Sequence, residues 1–263
     1  MADLIHLPVA AIVANSGAAF AAKAATTTIP IVFAAGDDPV KSGLVANLNR
    51  PGGNITGVSW LGAVVGAKRL ELLRQVVPKA TTIAMLVQPN RPDTEQDRKD
   101  VQAAARAIGL QLIILDVSSD RDIEAAFATL VQRGAGALLV GAGAYLNSKR
   151  ESIVALAARY AIPAMYLVRE AVVAGGLMNY GRSQSNAYHQ AGIYVGRILK
   201  GEKPGDLPVI QSTKFEFVIN LKTAKTLGLD MPIIVHRADA LECLLLTQSG
   251  HGRLKIAAAQ TDL

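Results

Sequence analysis

The run over 29–34, Ile-Pro-Ile-Val-Phe-Ala, limits the folds open to this chain more than any other segment. A short, continuous apolar run rich in β-branched residues fits a strand buried on both faces, as in a parallel sheet covered by helices. The run stops at Gly36, Asp37, Asp38 and Pro39. Ligands of open α/β sheets sit beyond the carboxyl ends of the strands, so this Asp pair stands where an amine or hydroxyl would be held. A turn followed by a helix cap uses the same residue types, and spacing alone leaves both readings open.

Similar runs recur along the chain. The pattern predicts strands over 9–14, 29–34, 55–60, 82–87, 112–117, 137–140, 163–167, 176–180 and 215–220. Between them the spacing predicts helices from 18, over 39–48, 67–77, 93–108, 120–132 and 148–160, a short one from 169, then 184–199 and 221–227. Leu70, Leu73 and Val77 share one helical face, as do Val101, Ala104, Ala105 and Ile108, and Ile123, Phe127, Leu130 and Val131. Asp93 is placed to cap the fourth of these helices and Gly109 to close it, while Ser183 or Ser185 caps the one over 184–199. Strand and helix in alternation mean right-handed βαβ units, a parallel sheet and helices on both faces.

The 263 residues suffice for one large domain or two modest ones. With half the residues apolar and 18% charged, the composition is globular, and at 5% aromatics the interior falls to Ala, Val, Leu and Ile. The net charge of +6 is scattered, without a basic run or interleaved aromatics, so no nucleic-acid partner is expected. A single cysteine, Cys243, excludes an internal disulfide, and His6, His189, His236 and His251 lack metal-ligand spacing, so neither metal nor cofactor is expected. No apolar run reaches the roughly 18 residues of a membrane span. Residues 1–25 could pass for an export signal. Asp3 and His6 stand where basic residues belong, however, and Asn15, Ser16 and Gly17 cut the apolar run short, so a strand, loop and helix are expected instead.

The strand-end loops carry no Gly-x-Ser-x-Gly elbow and no Walker loop, so no catalytic residues are assigned. Gly141-Ala142-Gly143 follows a strand, but Asn147 occupies the place of the third glycine of a dinucleotide fingerprint. What the loops share is small polar residues. Asn15, Ser16, Gly36, Asp37, Asp38, Asn90, Tyr145, Tyr166, Glu170 and Tyr180 are the candidate ligand contacts. Each has a plainer reading. Tyr166 and Tyr180 serve equally as half-buried core, Glu170 as a solvated first-turn residue and Asn90 as a common loop residue.

Several motifs resemble one family. They are Ile31-Val-Phe-Ala-Ala-Gly-Asp-Asp-Pro-Val40, Leu48-Asn-Arg-Pro-Gly-Gly-Asn-Ile-Thr-Gly-Val58, Ala67-Lys-Arg-Leu-Glu-Leu-Leu73, Arg169-Glu170 with Gly175-Gly-Leu-Met-Asn-Tyr-Gly181, and the stretch over 213–229. In their order they are similar to the ABC-transporter substrate-binding proteins of tryptophan/tyrosine-uptake type. The resemblance implies a type I periplasmic-binding-protein fold: two doubly wound parallel-sheet lobes joined by a three-crossover hinge. Lobe 1 would hold 1–57 and 177–206, lobe 2 58–176 and 207–232, with 233–263 an atypical tail. It implies an amino acid-like small-molecule ligand clasped between lobes by hinge closure, with an ABC permease and ATPase as partners. Asp37 or Asp38 would meet the ligand ammonium and Asn15 with Ser16 its carboxylate or amide. Tyr166, Glu170 and Tyr180 would line the other wall. Family members begin with an export signal and a strand–helix–strand ahead of Ala2, so the first lobe is expected to be incomplete. The location is expected to be periplasmic by resemblance, and cytoplasmic if Met1 is the true start.

Other readings use the same fold. A nucleotide- or sugar-dependent enzyme would need a phosphate loop, for which 141–143 is the one candidate. A ligand-sensing core related to bacterial repressors would need an upstream DNA-binding helix pair. A degraded, non-binding paralogue would keep the fold alone.

Overall fold

A computed structural model describes residues 7–36, 38–59, 65–91, 93–211, 215–229, 242–248 and 254–258, with the backbone alone described at 16, 182 and the last two segments. In chain order the elements begin with β1 (Ile12–Asn15), α1 (Ser16–Ala25), β2 (Ile31–Ala35), β3 (Ile55–Ser59), α2 (Gly66–Val76) and β4 (Thr82–Val87). Next come α3 (Thr94–Ala107), β5 (Gln111–Asp116), α4 (Asp120–Gln132), β6 (Ala137–Val140), α5 (Ala144–Ser148) and α6 (Arg150–Arg159). The series continues with β7 (Ala164–Tyr166), α7 (Arg169–Val173), β8 (Met178–Arg182), α8 (Gln184–Leu199) and a 3-10 turn at Pro204–Asp206. It closes with β9 (Ile210–Gln211), β10 (Phe215–Asn220), α9 (Leu221–Thr226), β11 (Glu242–Gln248) and β12 (Leu254–Ala258).

The chain forms two compact units: Met1–Gly62 with Arg182–Lys214, and Ala63–Gly181 with Phe215–Leu263. The first unit carries the parallel sheet β1-β2-β3-β9. Successive strand residues point to opposite faces, and β2 shows why its sequence is apolar throughout. Ile31, Phe33 and Ala35 pack with Ala19 and Ala22 of α1, whereas Val32 and Ala34 pack with Ala187, Ala191 and Tyr194 of α8. Thr56, fully buried, donates to the Leu207 carbonyl at 2.7 Å, and the Tyr194 hydroxyl donates to Pro208 O at 2.5 Å. These bonds and the β3–β9 ladder fix 207–211 to the first unit, where the resemblance had placed them in the second lobe.

The second unit carries the sheet β12-β11-β10-β8-β7-β6-β4-β5. Strands β4 to β8 pair in parallel, covered on one face by α2 and α3 and on the other by α4, α6 and α7. The end of β10 lies beside the start of β8, since Asn220 N donates to Leu177 O at 2.8 Å. The backbone of β11 runs parallel to β10 and β12 antiparallel to β11. Because β8 pairs with β7, residues 177–181 belong to this unit rather than the first, and 58–59 belong to the first through β3. Among the described residues no helix is long and apolar enough to cross a membrane.

Three local expectations give way. Residues 39–48 form turns, not a helix: Gly43 adopts φ 74°, and Leu44 and Val45 leave helical phase to enter the core. The helix expected over 148–160 is broken at Lys149 into α5 and α6. Ile108 and Val131, expected inward, are 42% and 45% exposed. Ile108 lies past the end of α3, and Val131 is about a fifth of a turn from the centre of the Ile123–Phe127–Leu130 face. Of the expected caps, Ser183 accepts from Asn186 N at 3.3 Å, while Asp93 occupies the N-cap without a side-chain bond.

Gly57 pairs with Phe33, and a β-carbon at Gly57 would lie 2.6 Å from the Phe33 Cγ. Gly57→Ala should therefore lower unfolding free energy by about 1–3 kcal/mol through overpacking, read from urea denaturation. An unchanged midpoint would refute that account of the glycine.

Candidate functional site

In the first unit the parallel register sets Asn15 beside Ala34 and Ala35 beside Ser59, so the ends of β1, β2 and β3 share one edge. That edge presents Asn15, Gly36, Asp38 and Ser59. Asn15 is exposed and stands at the N-cap of α1 without bonding to it through its side chain, whereas Ser59 is fully buried. Asp38 commits one carboxylate oxygen to its own loop, accepting from Val40 N at 2.9 Å and Lys41 N at 3.2 Å. The turn reading of this segment is thus realised, at the edge where the ligand reading put it. Asp37 and the Ser16 side chain lie outside the described residues.

In the second unit the equivalent edge is laced by side chains that the sequence reading did not select. The Gln88 side-chain oxygen accepts from Tyr145 N at 2.9 Å, and Arg91 donates to Ala142 O at 2.9 Å. Gly143 lets Gln88 approach, for a β-carbon there would meet Gln88 Cβ at 2.8 Å. From α2, Arg69 reaches under the sheet and donates to the carbonyls of Val140 and Met165, at the ends of β6 and β7. Burial lowers the Arg69 pKa to about 10 against the opposing pull of Asp97, so the guanidinium stays charged at neutral pH. Asp97 is held above the ordinary carboxylate value by its own burial, opposed by Arg91 at 3.5 Å. One signal for Arg69 was present in the sequence. Arg69, Leu73 and Val76 follow the i, i+4, i+7 spacing of an inward face, and all three are buried.

The chosen residues of this unit divide. Asn90 is exposed in the left-handed region at φ 61°, two residues from Gln88, so its loop and that of Tyr145 meet at one edge. Glu170 is the exposed second residue of α7. The Tyr145 hydroxyl donates to Asp120 Oδ1 at 2.5 Å, and Lys149 donates to the other oxygen at 2.6 Å. Tyr166 and Tyr180 do not share a wall. Tyr166 is packed with Ile153 and Ala171 on one face of the sheet; Tyr180 is packed on the other, its ring 5.6 Å from that of Phe215 and 6.3 Å from that of Phe217.

A cavity of about 380 Å³ opens at the opposite edge, where β7 and β8 begin, lined by Ala157, Ala161, Gly176, Asn220 and Thr223 among others. Among the described residues no three His, Cys, Asp or Glu side chains group to hold a metal ion. What the carboxyl edges offer is hydrogen-bonding groups of mixed polarity on rigid strand ends, an arrangement suited to holding a small polar molecule.

The sequence profile described as ABC transporter substrate binding protein matches residues 5–240. The chain belongs to that family. As a family member it shares 28% identity over 215 residues with the tyrosine-binding protein of Clostridioides difficile strain R20291, covering 82% of this chain and 61% of that protein. A conserved domain protein from Vibrio cholerae superposes with a TM-score of 0.77 at 26% identity, over 90% of this chain and 79% of that one. The ABC domain from Streptococcus pneumoniae, solved in complex with L-Trp, superposes with a TM-score of 0.75 at 27% identity, over 88% of this chain and 80% of that one. The substrate-binding family thus brings with it the type I periplasmic-binding-protein fold.

Two hydrogen bonds, Lys149 first and Tyr145 second, hold the Asp120 carboxyl below its ordinary value of 3.8. A depressed folded-state value means that these bonds contribute above the ordinary value and are lost as pH falls through the folded one. Carboxyl NMR titration should show Asp120 protonating below its ordinary value, then upward in Tyr145→Phe and further up in Lys149→Met. No upward move in either variant would remove the interaction from solution.

Proposed function

We propose that this chain is the solute-binding component of an ABC importer, taking an amino acid as its solute and passing it to a permease driven by an ATPase. The observation that carries the reading is the family match over 5–240, most of the chain's length. The ligand class follows from relatives that bear the names of tyrosine-binding protein and of a domain complexed with L-Trp. The geometry supports it with polar strand-end groups on fixed backbone: Asn15, Gly36 and Asp38 in the first unit, and Gln88, Asn90 and Asn147 in the second. Asp37 and Ser16 remain proposed contacts through their neighbours on the first edge. Glu170 remains one through its place after β7. Tyr145, Tyr166 and Tyr180 are assigned supporting roles, since each ring is engaged within its own unit. The chain performs no chemical step in this scheme, and its place is the extracytoplasmic side of the membrane.

The test is isothermal titration of the protein with L-tyrosine and L-tryptophan, with melting temperature read in parallel. A ligand at 100-fold its dissociation constant should add about 2.7 kcal/mol to stability. Asn15→Ala should weaken binding about tenfold without moving the unliganded midpoint, and so should Asn90→Gly, glycine being chosen because it tolerates the left-handed backbone at φ 61°; that is the loss expected for a hydrogen bond of about 1.4 kcal/mol. The absence of both heat and stabilisation with every amino acid tried would overturn the proposal.

A further inference from the structure

A small cavity of about 20 Å³ lies at the carboxyl ends of β6 and β7, wholly inside the second unit. Its walls include Gly141, Gly143, Asn147, Arg150, Tyr166 and Val168. Two of these side chains carry polar atoms that are buried and find no protein hydrogen-bond partner: the Tyr166 hydroxyl and the Asn147 side-chain oxygen. Tyr166 is only 2% exposed, its ring also lines the cavity of about 380 Å³ at the opposite edge, and phenylalanine would fill the same apolar cluster without the desolvation cost of the hydroxyl. Buried polar groups in folded proteins are nearly always satisfied, by protein or by a fixed bound group. The two atoms are complementary, a hydroxyl that donates and an amide oxygen that accepts.

The volume decides what fits. A single water needs roughly 10–15 Å³ measured this way, so the cavity admits one oxygen-sized group and not two. An ammonium could donate to both oxygens, but it would leave the Tyr166 proton without an acceptor and would stand near the Arg150 guanidinium, itself on the cavity wall. A carboxylate cannot donate to the Asn147 oxygen. A neutral group that donates and accepts meets both requirements.

We propose that this cavity is a built site for one hydroxyl-type oxygen, which accepts from the Tyr166 hydroxyl and donates to the Asn147 side-chain oxygen. Occupied, it bridges the segment after β6, which carries Asn147, to the end of β7, which carries Tyr166. Both segments form the edge assigned to the solute. The oxygen has two possible sources, a fixed water or the hydroxyl of the bound solute, and only the second rests on the function proposed above.

The experiment is a set of atomic-resolution crystal structures: the protein alone, with L-tyrosine and with L-tryptophan, together with the Tyr166→Phe and Asn147→Leu variants. An oxygen bonded to both residues in the ligand-free crystal supports the site with solvent as its source. An oxygen present with L-tyrosine alone, as its phenol, supports the site with solute as its source, and Tyr166→Phe should then weaken L-tyrosine binding at least tenfold while sparing L-tryptophan. A cavity empty in every crystal, or a Tyr166 hydroxyl bonded to a protein acceptor, overturns the proposal. The stability effects of the two substitutions should also be non-additive, since either removes the bridge, and strict additivity would overturn it even where crystals fail. Should the wild-type protein show no heat with any amino acid, the importer function falls, while the ligand-free crystal still decides the cavity.

Discussion

Burial of both faces of a parallel sheet is the constraint from which the rest of this molecule follows. Strand β2 shows it most plainly, with Ile31, Phe33 and Ala35 committed to one helix layer and Val32 and Ala34 to the other. A strand so placed cannot slip its register by one residue without exchanging its two sets of neighbours. Fixed register aligns the carboxyl ends of β1, β2 and β3, and the same logic aligns β4, β6 and β7 in the second unit. The loops at those edges therefore start from defined positions, and their polar residues acquire a geometry that loop sequence alone would not supply.

Closure of the edges is achieved differently in the two units. In the first, the loop after β2 stabilises itself, as Asp38 accepts from the backbone just beyond it. In the second, long side chains reach between loops. Gln88 and Arg91 join the segment after β4 to the segment after β6, and Arg69 ties the ends of β6 and β7 from below. The cavity between Tyr166 and Asn147 lies within that second network, which already fixes most of its walls.

The legible part of the sequence was the part governed by local periodicity. Continuous apolar runs marked the buried strands, and 3.6-residue spacing found the inward faces of α2, α3 and α4 except at Ile108 and Val131 near the helix ends. The stretch over 39–48 misled because apolar residues that enter a core from turns leave the same trace as a short helix, and only the positive φ at Gly43 separates the two. At the edges, residue type identified the loops but not the direction of side chains. Tyr166 and Tyr180 look equivalent in sequence, yet strand phase sends them to opposite faces. The inward spacing of Arg69 was legible but its role was not, and Gln88 gave no signal, because their partners are backbone carbonyls and amides more than 50 residues away, a distance that no local pattern encodes.

The depth of Arg69 has one more outcome. Ion pairs and hydrogen bonds on a protein surface weaken as dissolved ions gather round them, over a Debye length of about 8 Å at physiological strength. A guanidinium that is 2% exposed has little mobile salt within reach. The brace it places on the β6 and β7 ends is accordingly indifferent to brine or fresh water, so the shape of that rim travels unchanged through surroundings whose mineral content varies.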